Sequence, residues 1–168
     1  SARRTTACTS GGGRITRRSG AQVRETSGPA ETERLGEAMA ARLRPGDVVA
    51  LTGEIGAGKT CLTRGLARGL ASTTAVSSPT FVLVHRHELR AASHALYHLD
   101  LYRLDSSDEL EDIGGAELLH GRDICVVEWA ERADELLPAD SFRVHIDCLA
   151  EDARRLTVMG PRDLLRED

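Results

Sequence analysis

The eight residues GEIGAGKT, positions 53–60, constrain this chain more than any others. They fit a glycine, four residues, a glycine, a lysine and then Ser or Thr. The apolar run from Asp47 to Thr52 precedes them and reads as a short buried strand. A helical pattern from about Lys59 to Ala71 follows, with Leu62, Leu66 and Leu70 on one stripe. In that setting Gly53, Gly56 and Gly58 let successive backbone N–H groups turn inward on an anion. The new helix adds its positive end. The predicted phosphate-binding set is Glu54, Ile55, Gly56, Ala57, Gly58, Lys59, Thr60 and Cys61.

Lys59 is the only lysine in the chain; every other long basic side chain is arginine. Compositional bias exchanges Lys for Arg on a solvated surface. It does not do so where a compact ammonium must fit a tight anion nest, because a planar guanidinium has a different shape and stem. Lys59 is therefore expected on the β- and γ-phosphates, and the Thr60 hydroxyl on Mg²⁺.

The rest of the chain supplies an α/β frame for this loop. With 168 residues and 40% apolar side chains it reads as one globular domain. Gly28, Pro29 and Glu31 mark a helix entry, and Leu35, Met39 and Leu43 share a face until Pro45 and Gly46 end the helix. Further strands are expected at Thr80–His87, Ala95–Asp100, Asp123–Glu128, Phe142–Cys148 and Leu156–Met159, with a short helix near Ala116–Leu119. The last two strands form a hairpin around residues 150–153. The fold expected is a P-loop NTPase-like three-layer α/β sandwich, with a mostly parallel sheet and antiparallel edges. Residues 1–28, rich in Ser, Thr, Gly and Arg, are expected to be a disordered tail. Residues 29–168 form the single domain.

Charge limits the partners. Residues 1–24 hold six arginines and no acid, so a net charge of −4 leaves the remainder at −10. An acidic body is not one that grips nucleic acid by its phosphates. No apolar run is long enough to span a membrane. Cys8, Cys61, Cys125 and Cys148 show no metal-ligand or disulfide spacing and read as free thiols in a reducing compartment, the cytoplasm.

The absences narrow the nucleotide chemistry. There is no Asn, and the one Gln, Gln22, lies in the tail. A guanine-reading N-K-x-D motif is impossible, and no Gln is placed to orient water. Carboxylates must do that work. Two of them end apolar strands, Asp100 after ALYHL and Glu128 after ICVV. If both strands run parallel to the first, both acids reach the crevice at the strand ends. One then holds Mg²⁺ with Thr60 and the other orients the attacking water; the residues alone do not say which. Thr80, in the stretch SSPTF at 77–81, stands where a switch loop could sense a γ-phosphate. Trp129, directly after Glu128, is expected to be a lid on the site or an anchor for a partner. Cys61, at a helix N-terminus, is expected to have a lowered thiol pKa. The six histidines show no metal spacing and are assigned to surface or packing.

GEIGAGKT, SPTFVLV, YHLDLYRL, VVEWAER and LLP, in this order and spacing, resemble the TsaE family over roughly residues 27–160. That resemblance implies a small ATPase that acts with TsaD-like and TsaB-like partners. Together they place a threonylcarbamoyl group on the adenosine beside the anticodon of tRNA. Contact with tRNA would be indirect and no membrane is involved. It implies ATP and Mg²⁺ as cofactors, Lys59 and Thr60 at the phosphates and metal, and Asp100 and Glu128 as the acidic pair. It also implies Trp129 as part of the site, and Arg155 near the nucleotide base with Arg154 as the competing candidate. Cys61 departs from a common Thr, and His87 from a common aromatic. Two other readings compete: a small-molecule kinase, and a non-catalytic module whose interface ATP orders.

Overall fold

The computed structural model describes residues 19–77 and 83–166. The parallel heart of its sheet is made of β2 (Val48–Thr52), β4 (Ala95–Asp100), β5 (Ile124–Glu128) and β6 (Phe142–Cys148), in the spatial order β6-β2-β5-β4. All four run the same way. β2 and β5 are the most apolar of these runs, as strands buried on both faces must be, while β6 alternates buried with more exposed residues.

Antiparallel strands finish both edges. β3 (Val84–Glu88) pairs with β4 on one side, and β7 (Arg154–Gly160) with β6 on the other. The β6–β7 hairpin turns where the sequence places it, around residues 149–153. β3 differs from its expected range: it starts at Val84, and residues 78–82 lie outside those described.

Ser19–Thr26, within the segment expected to lack structure, forms β1 and pairs antiparallel with β7 at the sheet's outer edge. Main-chain bonds hold it there, with little burial; Val23 is 50% exposed. A hydrophobic pattern cannot announce such a strand, because its stability comes from the ladder it joins. The ordered domain thus begins before residue 29. Residues 1–18, including Cys8, lie outside those described.

Helices cover both faces, as a three-layer sandwich requires. α1 (Pro29–Ala40) and α2 (Lys59–Gly69) enclose one core with Leu51, Leu96, Ile124, Val126 and Ile146. α3 (Ser107–Asp112), α4 (Gly115–Leu119) and a 3-10 segment, Ala130–Leu136, enclose the other with Val48, Leu99, Cys125 and Val127. The start of α3 is closed by Glu109, which accepts from the backbone N–H groups of Asp105 and Ser106.

α1 and α2 approach closely because glycines face each other. A Cβ on Gly65 would lie 2.1 Å from the Glu33 carbonyl oxygen, and one on Gly36 would lie 2.6 Å from that of Leu62. This packing fixes the direction of α2, and so of the loop that feeds it.

Candidate nucleotide site

The loop between β2 and α2 has the backbone its glycines predict. Gly53, Gly56 and Gly58 have φ of 142°, 75° and 107°, a region costly to side-chain-bearing residues. A Cβ on Gly56 or Gly58 would meet nothing within 4 Å, so the space in front of the loop is open. The first main-chain bond of α2 runs from the Leu62 N–H to the Gly58 carbonyl, 2.9 Å. The N–H groups of Lys59, Thr60 and Cys61 precede that bond and are the donors a helix start leaves for an anion. Ile55 stands 75% exposed at the tip. Ala57 is buried beneath it, with its N–H on the Glu54 carbonyl.

Lys59 is 5% exposed. Its ammonium donates to the carbonyls of Gly53 (2.6 Å) and Glu54 (2.8 Å) and sits 3.9 Å from the centroid of the Trp129 indole. Burial lowers its pKa, and Glu128, Glu131 and Asp100 oppose that shift. Trp129 has φ of 57°, an unusual conformation for a bulky residue. This turns its ring back over the loop from the end of β5, where it packs on Tyr102 with centroids 4.8 Å apart.

The two carboxylates meet through strand register. β4 and β5 are parallel with Asp100 opposite Glu128, on the face that also carries Leu96, Ile124 and Val126. Glu128 is 2% exposed. Its Oε2 accepts from the Thr60 hydroxyl at 2.9 Å, and its Oε1 lies 2.8 Å from His98 Nε2 and 3.3 Å from the Thr63 hydroxyl. Asp100 Oδ1 accepts the Tyr102 N–H at 3.0 Å. Burial raises the Asp100 pKa; the Tyr102 N–H lowers it and the nearby Glu128 charge raises it.

These residues fit a magnesium nucleotide. The loop offers amide donors and an ammonium; Thr60, Asp100 and Glu128 offer hard oxygen ligands beside them. Two acids and a hydroxyl are too few for a dedicated cage, which suits a metal that shares its coordination with phosphate oxygens and water.

Several expectations need correction. Arg155 does not reach the loop: its guanidinium pairs with Glu25 of β1, 2.8 Å away. Arg154 does reach it, donating to the carbonyls of Ala57 (3.0 Å) and Gly56 (3.4 Å) and to Ala150, Glu151 and Ala153 in the hairpin turn. Adjacent strand residues point to opposite faces, so only one of the two can face the loop. The Cys61 thiol pKa is raised, not lowered, by burial and the Glu33 carboxylate, and the thiol donates to the Pro29 carbonyl at 3.1 Å. Thr80 lies outside the described residues.

Sequence reasoning passed over His98 and Thr63, and the signal was spacing. His98 stands two residues before Asp100 on one strand, hence on the same face. Thr63 stands four after Lys59, one helical turn on.

The family model for threonylcarbamoyl adenosine biosynthesis protein TsaE matches residues 26–156. Relatives named tRNA threonylcarbamoyladenosine biosynthesis protein TsaE are similar over most of their length. The one from Bacillus subtilis is 42% identical over 132 residues, 79% of this chain and 81% of the relative. The one from Streptomyces coelicolor is 44% identical over 131 residues, 75% and 88%. A crystal structure of Bacillus subtilis YdiB superposes with a TM-score of 0.66 at 31% identity, covering 86% of this chain and 88% of that one.

Proposed function

Because the chain belongs to the TsaE family, we propose that it binds ATP with Mg²⁺ and hydrolyses it in support of threonylcarbamoylation of the adenosine beside the anticodon of tRNA. It does so with TsaD-like and TsaB-like partners, in the cytoplasm, and tRNA contact falls to those partners. Among the described residues no helix is long and apolar enough to cross a membrane.

One observation carries the reading at the site. The parallel register of β4 and β5 sets Asp100 beside Glu128, and Glu128 is bonded to Thr60 of the phosphate loop. An acidic pair is thereby built onto an anion nest. Lys59 would exchange its bonds to the Gly53 and Glu54 carbonyls for phosphate oxygens, and the free N–H groups at the start of α2 would take others. Thr60 and Glu128 form the metal edge, since they already share a hydrogen bond and Glu128 has little open surface. A magnesium ion held there would neutralise charge on the transferring phosphoryl group. Asp100 is less buried and holds a raised pKa, so it is the better acceptor for a proton of the attacking water. Trp129 closes over the phosphates and excludes bulk solvent. The chain has no Asn, and its one Gln, Gln22, sits on edge strand β1, outside the candidate site, so hydrolysis by the chain alone is expected to be slow.

The test is phosphate release from ATP by the chain alone, then with both partners and tRNA. A rise on adding the partners is expected. Absence of a rise with cognate partners would refute the proposal, and transfer of the γ-phosphate to a metabolite would replace it with a kinase.

A further inference from the structure

His98 is fully buried, with no measurable exposure, and its Nε2 lies 2.8 Å from Glu128 Oε1. An ionised carboxylate only accepts, so the proton of this hydrogen bond sits on Nε2. Thr63 is the other neighbour of that oxygen, at 3.3 Å, but its hydroxyl has one proton and lies closer to the Lys59 carbonyl, at 2.9 Å. The imidazole is therefore the close donor on Oε1. The opposite oxygen, Oε2, takes the Thr60 hydroxyl. The terminal torsion of a glutamate is broad and roughly two-fold, so an unanchored carboxylate would swing freely. A rigid donor on one oxygen fixes where the other one points.

The ring is itself held in place. It stacks with His87, which is 4% exposed, at a centroid distance of 6.4 Å and an interplanar angle of 28°; His85 lies 6.3 Å beyond His87. His87 Nδ1 is anchored 2.8 Å from the Thr74 hydroxyl. Burial, with the neighbouring imidazoles, lowers the His87 pKa, which favours its neutral form. His98 Nδ1 has no hydrogen-bond partner among the described residues. Among the described residues the ring thus has a single polar tether, and that tether is Glu128.

We propose that His98 is the positioning residue of Glu128, its Nε2–H holding Oε1 so that Oε2 stays turned toward Thr60 and the metal edge of the site. The inference rests on the reading of Glu128 given above. Partners of this kind, one bond behind a metal-facing ligand, typically contribute roughly 10- to 100-fold in metal affinity or activity.

The test uses the full chain, alone and with its partners. His98→Leu keeps bulk and removes the donor; His98→Gln keeps a donor. His98→Leu is expected to lower turnover roughly 10- to 100-fold and to raise the magnesium concentration needed for half-maximal rate. Binding of ADP without metal, read by calorimetry, should be unchanged, and His98→Gln should recover part of the loss. Turnover of His98→Leu within twofold of the parent would overturn the proposal. Should that variant not fold, long-range proton–nitrogen NMR of the histidine-labelled parent decides. His98 should carry its proton on Nε2, and that resonance should move in Glu128→Gln. A proton on Nδ1, or an unmoved Nε2, would overturn it. Full turnover by Glu128→Gln would remove the underlying reading instead, so the two failures are told apart.

Discussion

The ammonium of Lys59 lies 3.9 Å from the indole centroid of Trp129, above the two loop carbonyls to which it donates. The loop's one cation is thus satisfied by its own backbone and capped by an aromatic face. On the proposed reading a phosphate would replace the carbonyls as acceptor, and its negative charge favours the exchange. Lys59→Ala should weaken Mg²⁺–ATP binding at least ~100-fold, about 2.7 kcal/mol, in calorimetry. Lys59→Arg should not restore it, because a planar fork does not fit between two carbonyls and a ring.

Glu128 should be needed for turnover and not for nucleotide binding. Glu128→Gln keeps the shape, weakens the metal edge and is expected to lower turnover by roughly 10²-fold or more while ATP still binds. Quenched-flow phosphate release beside equilibrium binding would show it; equal losses in both would mean the acid serves only to hold nucleotide.

Asp100 also links the site to stability. Its folded pKa lies above the ordinary carboxylate value because it is partly buried. Folding therefore favours the protonated form: stability is highest below the unfolded-state pKa and is lost as pH rises through the folded one. Asp100→Asn should melt at a higher temperature than the parent at neutral pH, with the gap closing in acid. The same variant should have lost turnover. A gap that widened in acid would contradict this assignment of cause.

The two arginines at the start of β7 should differ although they are adjacent. Arg154→Ala removes the tie between the hairpin turn and the loop carbonyls of Gly56 and Ala57, and should raise the KM for ATP several-fold. Arg155→Ala breaks an exposed pair with Glu25 and should leave the KM unchanged. Such pairs contribute roughly 0–1 kcal/mol, so its melting temperature should move little.

Gly65→Ala tests the close approach of α1 and α2. The new methyl would meet the Glu33 carbonyl, and the overpacking should cost ~1–3 kcal/mol or more. That would exceed the helix-propensity gain of about 1 kcal/mol for replacing glycine. Denaturant unfolding should show a net loss; a gain would mean the two helices can slide apart.

The loop, its flanking strand and helix, the acidic strand ends and the C-terminal hairpin were legible in the residues. Each is a local pattern: glycines where φ must be positive, an apolar run for a buried strand, a leucine stripe for a helix. β1 was not legible, because an edge strand with few apolar residues is defined by the neighbour it bonds to. The elevated thiol pKa of Cys61 was hidden for a related reason. The helix start argues for a lower value, but the Glu33 carboxylate of α1 and the burial between the helices argue the other way, and neither is visible along the chain.

What the residues determined alone was the chemistry available: one ammonium in a glycine loop, a hydroxyl beside it, and acids at the ends of buried strands. Tertiary structure decided which of those groups meet. Parallel register set Asp100 opposite Glu128, strand alternation sent Arg154 to the loop and Arg155 to the edge, and the β3–β4 pairing buried His98 behind Glu128. Local sequence fixes φ, ψ and burial tendency residue by residue. Which side chains touch across strands depends on register and face, and these are set by the packing of the whole sheet.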